Sequence, residues 1–125
     1  MDVTPLIPQG RKIIQSYGPK GFKVSGVSYD TPLIITPLSC TPWNAPVSVD
    51  NLAVSDFSFF KDKKGEIDVV LLGAGTKPSM IADDIRTALR ENGISIDVME
   101  TGAACRTYNV LMAEGRRVAA MLMPL

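Results

Sequence analysis

The 125-residue chain contains no histidine. That absence removes Ser-His-Asp and Cys-His catalysis, together with every imidazole-ligated zinc or iron site. Cysteine is scarce: Cys40 and Cys105 lie far apart without C-x-x-C spacing. One disulfide is formally open, a disulfide framework is not, and reduced thiols in a cytosol-like compartment are expected. Net charge is missing as well, since thirteen Lys and Arg balance thirteen Asp and Glu. This leaves no electrostatic reason to expect nucleic acid or an anionic membrane as a partner. The one basic cluster, Lys61, Lys63 and Lys64, is interrupted by Asp62 and followed by Gly65 and Glu66, and reads as a solvated turn. Long apolar runs are also lacking. VAAMLM near the end of the sequence is too short to span a bilayer. The opening MDVTPLIPQG has neither the pattern of a secretory signal nor the Arg- and Ser-rich, acid-free character of a transit peptide. A soluble, cytoplasmic protein with no transmembrane segment is expected.

What is present is an ordinary globular composition, 46% hydrophobic and 21% charged, at a length that suits one domain over residues 1–125 with one core. Character changes near residue 65. Seven of the nine prolines precede it, and that half reads as short strands and turns. KIIQSY and FKVSGV flank the turn signal GPKG and predict a β-hairpin. LIIT, bounded by Pro32 and Pro37, predicts a short strand at a sheet edge or ending at its prolines. PLSCTPWNAPV reads as irregular, with Trp43 anchoring it to the core or, as the alternative, binding. DFSFFKD suits one short helical turn with Phe57 and Phe60 inward.

The second half is regular. IDVVLLG is a continuous apolar strand of the kind buried on both faces. A helix follows over Ser79 to Glu91, with Ile81, Ile85, Ala88 and Leu89 forming one apolar stripe and Gly93 ending it. ISIDVME alternates, which places it near a sheet edge. A second helix spans about Ala103 to Glu114 and stops at Gly115. RVAAMLM is apolar on both faces and therefore central. The β-α-β-α-β order predicts an α/β fold of three layers, a mixed central sheet with helices packed on it. The strands of the first half extend that sheet or cover one side.

Two strand-to-helix turns carry what chemistry there is. Gly73-Ala74-Gly75-Thr76 follows a buried strand, and backbone N–H groups at such a turn favour anions. The dinucleotide fingerprint is nonetheless incomplete, and the Walker A ending is missing; a tight structural turn is the simpler reading. At the second turn, Thr101 can cap the helix, and the small residues from Gly102 let its start lie close to a sheet or leave room for a ligand at the positive dipole end. Cys105 sits in the first helical turn beside Arg106, both of which lower a thiol pKa, although packing is the commoner role for such a cysteine. Asp83 and Asp84 read as a solvated helix face. On the second helix Ala104, Tyr108, Leu111 and Met112 share a core face, while Arg106, Asn109 and Ala113 lie opposite, with Val110 beside them. Thr107 adjoins them. Glu114 stands near the helix C-terminus, where its charge opposes the dipole, so an ion pair with Arg116 or Arg117 is expected.

TGAACRTYNVLMAEGRRVAAML, with the upstream LLGAGTKP and GFKVSG, resembles the family that contains mitochondrial complex I assembly factor 3. The resemblance runs from the hairpin to the last strand. It implies a three-layer fold around a mixed sheet and a role in assembling the respiratory NADH dehydrogenase through protein contacts, with no catalytic residues to carry over. Without a transit peptide, the chain looks like a bacterial or archaeal member. The direction of the last strand stays open: run antiparallel to its neighbours, it would bring Arg116 and Arg117 to the end that holds the two glycine turns.

The leading expectation is a non-catalytic interaction module with no cofactor and no metal. Its surface is formed from Gly73, Gly75, Thr76, Thr101, Cys105, Arg106, Thr107, Asn109, Glu114 and Arg116, and its partner is another protein or a further copy of the chain. The alternative is a protein, an enzyme included, that binds a small molecule or anion at the glycine turns.

Overall fold

The computed structural model describes residues 10–45, 49–77 and 80–125. Most of MDVTPLIPQG, the end of the proline-rich segment and Ser79 lie outside the described residues; the helix expected from Ser79 begins only at Asp83, so Ile81 precedes it. In chain order come β1 (Ile14–Gly18), β2 (Gly21–Val24), β3 (Val27–Tyr29), β4 (Leu33–Thr36) and β5 (Ser39–Pro42). Two 3₁₀ segments follow, Val49–Asn51 and Val54–Phe60, and then β6 (Val69–Gly73), α1 (Asp83–Glu91), β7 (Ser95–Met99), α2 (Thr101–Ala113) and β8 (Val118–Leu122).

The central sheet has the order β5-β4-β8-β6-β7. β8 pairs parallel with β6 and antiparallel with β4, and β7 pairs parallel with β6, so the sheet is mixed. The alternation of side chains across the pleat divides the interior in two. Ile34, Val70, Leu72, Ala119 and Met121 face α1 and the 3₁₀ segments, meeting Ile85, Leu89, Phe57 and Phe60. Leu33, Ile35, Leu71, Ala120 and Leu122 face the opposite way, toward α2, β1 and β2, meeting Tyr108, Met112, Ile14 and Phe22. All five residues of β8 are buried, as expected for a strand apolar on both faces at the middle of a sheet. β7 is an edge strand, which explains its alternating burial.

The expected hairpin forms through Gly18 and Gly21, and a third strand joins it to make a separate antiparallel sheet, β1-β2-β3, which covers α2's side of the central sheet. β4 lies between β5 and β8 with Pro32 and Pro37 just outside it, so the prolines mark the strand's ends and not a sheet edge. The start of the supposedly irregular segment is also corrected, because Ser39–Pro42 is a strand. Thr36 Oγ1 accepts the Leu38 and Ser39 N–H groups at 3.3 and 3.0 Å, reversing the chain so that Cys40 pairs with Ile35. Pro42 is tolerated because it ends an edge strand, where a missing N–H forfeits little of the ladder. Trp43 is buried, and its backbone N–H donates to Pro32 O at 2.8 Å, in keeping with an anchor.

Candidate functional site

Because β6, β7 and β8 run parallel, the turns after β6 and β7 lie at one end of the sheet, where β8 also ends. Thr101 is the knot of that end. Its hydroxyl donates to Met123 O at 2.6 Å and accepts the Gly75 N–H at 2.8 Å, while its own N–H donates to Gly75 O at 2.9 Å. The side chain is wholly buried. Thr101 was expected to cap α2, but Glu100 occupies the cap position without a side-chain bond, and Thr101 is the first helical residue, its hydroxyl turned to the sheet. Gly73 is required by close approach: a Cβ there would sit 3.0 Å from Thr101 Cα and 3.2 Å from Leu122 Cδ2. Gly75 has φ 85°, the left-handed region that favours glycine. Thr76 beside it is exposed. The small residues at this end therefore make room for the protein's own atoms.

The same holds at the start of α2. A Cβ on Gly102 would lie 3.0 Å from the ring of Tyr17, at the end of β1, and Arg106 donates a hydrogen bond from its guanidinium to the Tyr17 hydroxyl. No sequence pattern marks Tyr17 for this role. Only its place beside the GPKG turn hinted that it would project from the hairpin. Cys105 is 1% exposed. Burial pushes its thiol up to about 12, outweighing the lowering by Arg106, so the thiolate suggested by a helix start beside an arginine does not form at neutral pH.

Asn109 lies under β1 and not in solvent, with its amide bonded to both backbone groups of Ile14. A helical wheel places it opposite the core face, but the small sheet supplies a second buried surface there. What remains outward on α2 is the row Arg106, Val110 and Glu114, one turn apart, with Thr107 and Ala113 half-buried beside it. Val110 is 57% exposed. Glu114 does not pair with Arg117, which binds Asp68 at 2.9 Å and donates to Gly65 O at 2.6 Å. β8 parallel to β6 also places Arg116 at the sheet end opposite the glycine turns. The structure thus gathers Gly73, Gly75, Thr76, Thr101, Cys105 and Arg106 at one end, with Thr107 and Asn109 following Arg106 along α2, and separates Glu114 and Arg116 from them.

Clefts of about 380, 750 and 370 Å³ open on the described surface, and none of these is lined by Gly73, Gly75 or Thr101. Among the described residues, no three His, Cys, Asp or Glu side chains are grouped to hold a metal ion, and no helix is long and apolar enough to cross a membrane.

The profile of the family described as "Protein of unknown function (DUF498/DUF598)" matches residues 14–123. The NADH dehydrogenase [ubiquinone] 1 alpha subcomplex assembly factor 3 of Danio rerio is 32% identical over 112 residues, which cover 90% of this chain and 64% of that protein. The chain thus spans somewhat under two thirds of that relative's length. An uncharacterised protein of Rhodobacter capsulatus is 30% identical over 112 residues, covering 90% of this chain and 84% of its own. The crystal structure of a protein described as an outer membrane protein from Bartonella henselae superimposes with a TM-score of 0.83 at 35% identity, covering 92% of this chain and 96% of that one.

Proposed function

The chain belongs to the DUF498/DUF598 family of proteins of unknown function, and on that premise we propose that it is a single-domain, non-catalytic interaction module of the cytoplasm that helps assemble a respiratory NADH dehydrogenase. The observation that carries this reading is the similarity to complex I assembly factor 3 across about nine tenths of the chain. The geometry supports it with a surface. Arg106 is held against Tyr17, and Val110 stands exposed one turn further along. An arginine steadied by an aromatic beside an exposed aliphatic side chain is the mixture that interfaces favour. The partner is another protein, and a second copy of this chain fits the same face.

A ligand site at the glycine turns has less to support it, because Thr101, Leu122 and Tyr17 fill the space that the missing side chains of Gly73 and Gly102 leave. The test is co-purification of the tagged protein from its own cell. Arg106→Glu with Val110→Asp should strip away subunits of the NADH dehydrogenase while leaving the unfolding midpoint within a few degrees, since both positions are exposed. Retention of every partner by the double variant, or turnover of a metabolite at enzymatic rates by the purified protein, would show the reading to be wrong.

A further inference from the structure

The sheet end opposite the glycine turns holds a cleft of about 380 Å³ that the proposed partner surface does not use. Four stretches of chain remote in sequence build it: Arg11 ahead of β1, the β4–β5 turn, the segment from Phe59 to Ile67, and the return from α2 into β8. Its walls are of two kinds. Leu38, Phe59, Ile67 and Met112 supply apolar surface, and Leu38 is 71% exposed at its mouth. Arg11, Lys63, Arg116 and Arg117 supply positive charge, against the carboxylate of Glu66 in the lining and that of Asp68, which pairs with Arg117. In a chain whose charges balance to zero, that is a concentrated excess of one sign.

These cations differ in how far they are already engaged. Arg117 is held by Asp68 and Gly65 O. Lys63 Nζ stands 4.9 Å from the centre of the Phe59 ring, where the cation and the aromatic face attract. The guanidiniums of Arg11 and Arg116 make no hydrogen bond or ion pair with any described residue. Two unengaged guanidiniums over an apolar wall are what a planar anion with a hydrocarbon body requires, because arginine's fork matches a carboxylate and the wall removes the chain from water. The volume falls within the range of small-molecule sites.

We infer that this cleft is a binding site for a small amphiphilic anion, whose acidic head meets Arg11 and Arg116 and whose apolar body lies against Phe59, Ile67 and Met112. Lys63 adds charge at the rim, and Arg117, fixed by Asp68, holds that wall in place.

Titration of the isotope-labelled protein with decanoate, followed by amide NMR, tests the inference. Resonances of residues 63–67 and 115–117 should shift together and saturably. Decanol, which lacks the charge, and inorganic phosphate, which lacks the body, should each bind at least about tenfold more weakly, the scale of one lost charge-assisted contact. Arg116→Glu and Arg11→Glu should each weaken decanoate by a similar factor, whereas Arg106→Glu at the other end of the sheet should leave it unchanged. Decanol binding as well as decanoate, phosphate binding as well as decanoate, shifts mapping elsewhere, or no saturation below about 1 mM, the weak limit of a specific site, would each overturn the proposal. None of these outcomes bears on the co-purification experiment, so the two readings fail separately.

Discussion

Asn109 of α2 holds Ile14 of β1 by both of its backbone groups. The Asn109 Oδ1 accepts the Ile14 N–H at 2.9 Å, and its Nδ2 donates to the Ile14 carbonyl at 2.7 Å. One amide side chain thus does for the start of β1 what a neighbouring strand would do, and fastens the three-stranded sheet to the helix beneath it.

Asn109→Ala leaves a donor and an acceptor of Ile14 without partners in a half-buried place. Urea unfolding should show a loss of about 1–3 kcal/mol, the usual consequence of stranding such groups. Asn109→Asp should do no better, since it keeps the acceptor but sets a carboxylate against the Ile14 carbonyl. An unchanged midpoint for both variants would mean that water replaces the amide there without loss.

Thr101 and Gly73 should respond together. Thr101→Val keeps the shape but unpairs the Gly75 N–H and the Met123 carbonyl, and a fall of about 1–3 kcal/mol is expected. Gly73→Ala places a methyl against the Thr101 backbone and should also destabilise. Gly102→Ala should be far milder, because the group it meets is the ring of Tyr17, a partly exposed side chain able to swing away. Thermal unfolding of the three variants side by side gives the ranking; a Gly102→Ala as damaging as Gly73→Ala would contradict it.

Cys105 makes stability depend on alkaline pH. Burial raises its thiol from an ordinary 9.0 to about 12. The folded state therefore holds its proton more tightly than the unfolded state, and the associated stability is complete below pH 9 and lost as pH rises toward 12. Between those limits the unfolding free energy should fall by about 1.4 kcal/mol per pH unit for this one group, and Cys105→Ala should remove that part of the slope. Tyr108 is raised by burial too, so some slope should remain in the variant. At neutral pH the thiol of the folded protein should react with a thiol reagent no faster than a free cysteine.

The regular half of the chain was legible because its periodicities are strong. The continuous apolar runs of β6 and β8 declared strands buried on both faces, and the alternation in β7 declared an edge. What escaped depends on contacts between distant segments. A helical wheel allots one buried face to α2, whereas β1 supplies a second and takes Asn109 from the surface. Thr101 reads as a cap in its local context, and only the close passage of β8 past the end of β6 turns its hydroxyl inward. Cys105 is a different case: the packing role favoured from the sequence agrees with its burial, which outweighs the lowering by Arg106. The cationic cleft needs four separated stretches of chain, and no local pattern announces it.

The central position of β8 sets the order in which the molecule can be made. β4 and β5 emerge from the ribosome early and β6 and β7 later, yet β4 and β6 have no hydrogen bonds to each other and meet only through residues 118–122. Joining the two halves of the sheet therefore awaits residues 118–122, and until they are in place β4 and β6 each lack a neighbour on one edge. Such long-range closure is slow and leaves strand edges exposed to other chains. Closure of the central sheet thus waits on the strand that is made after both of its neighbours.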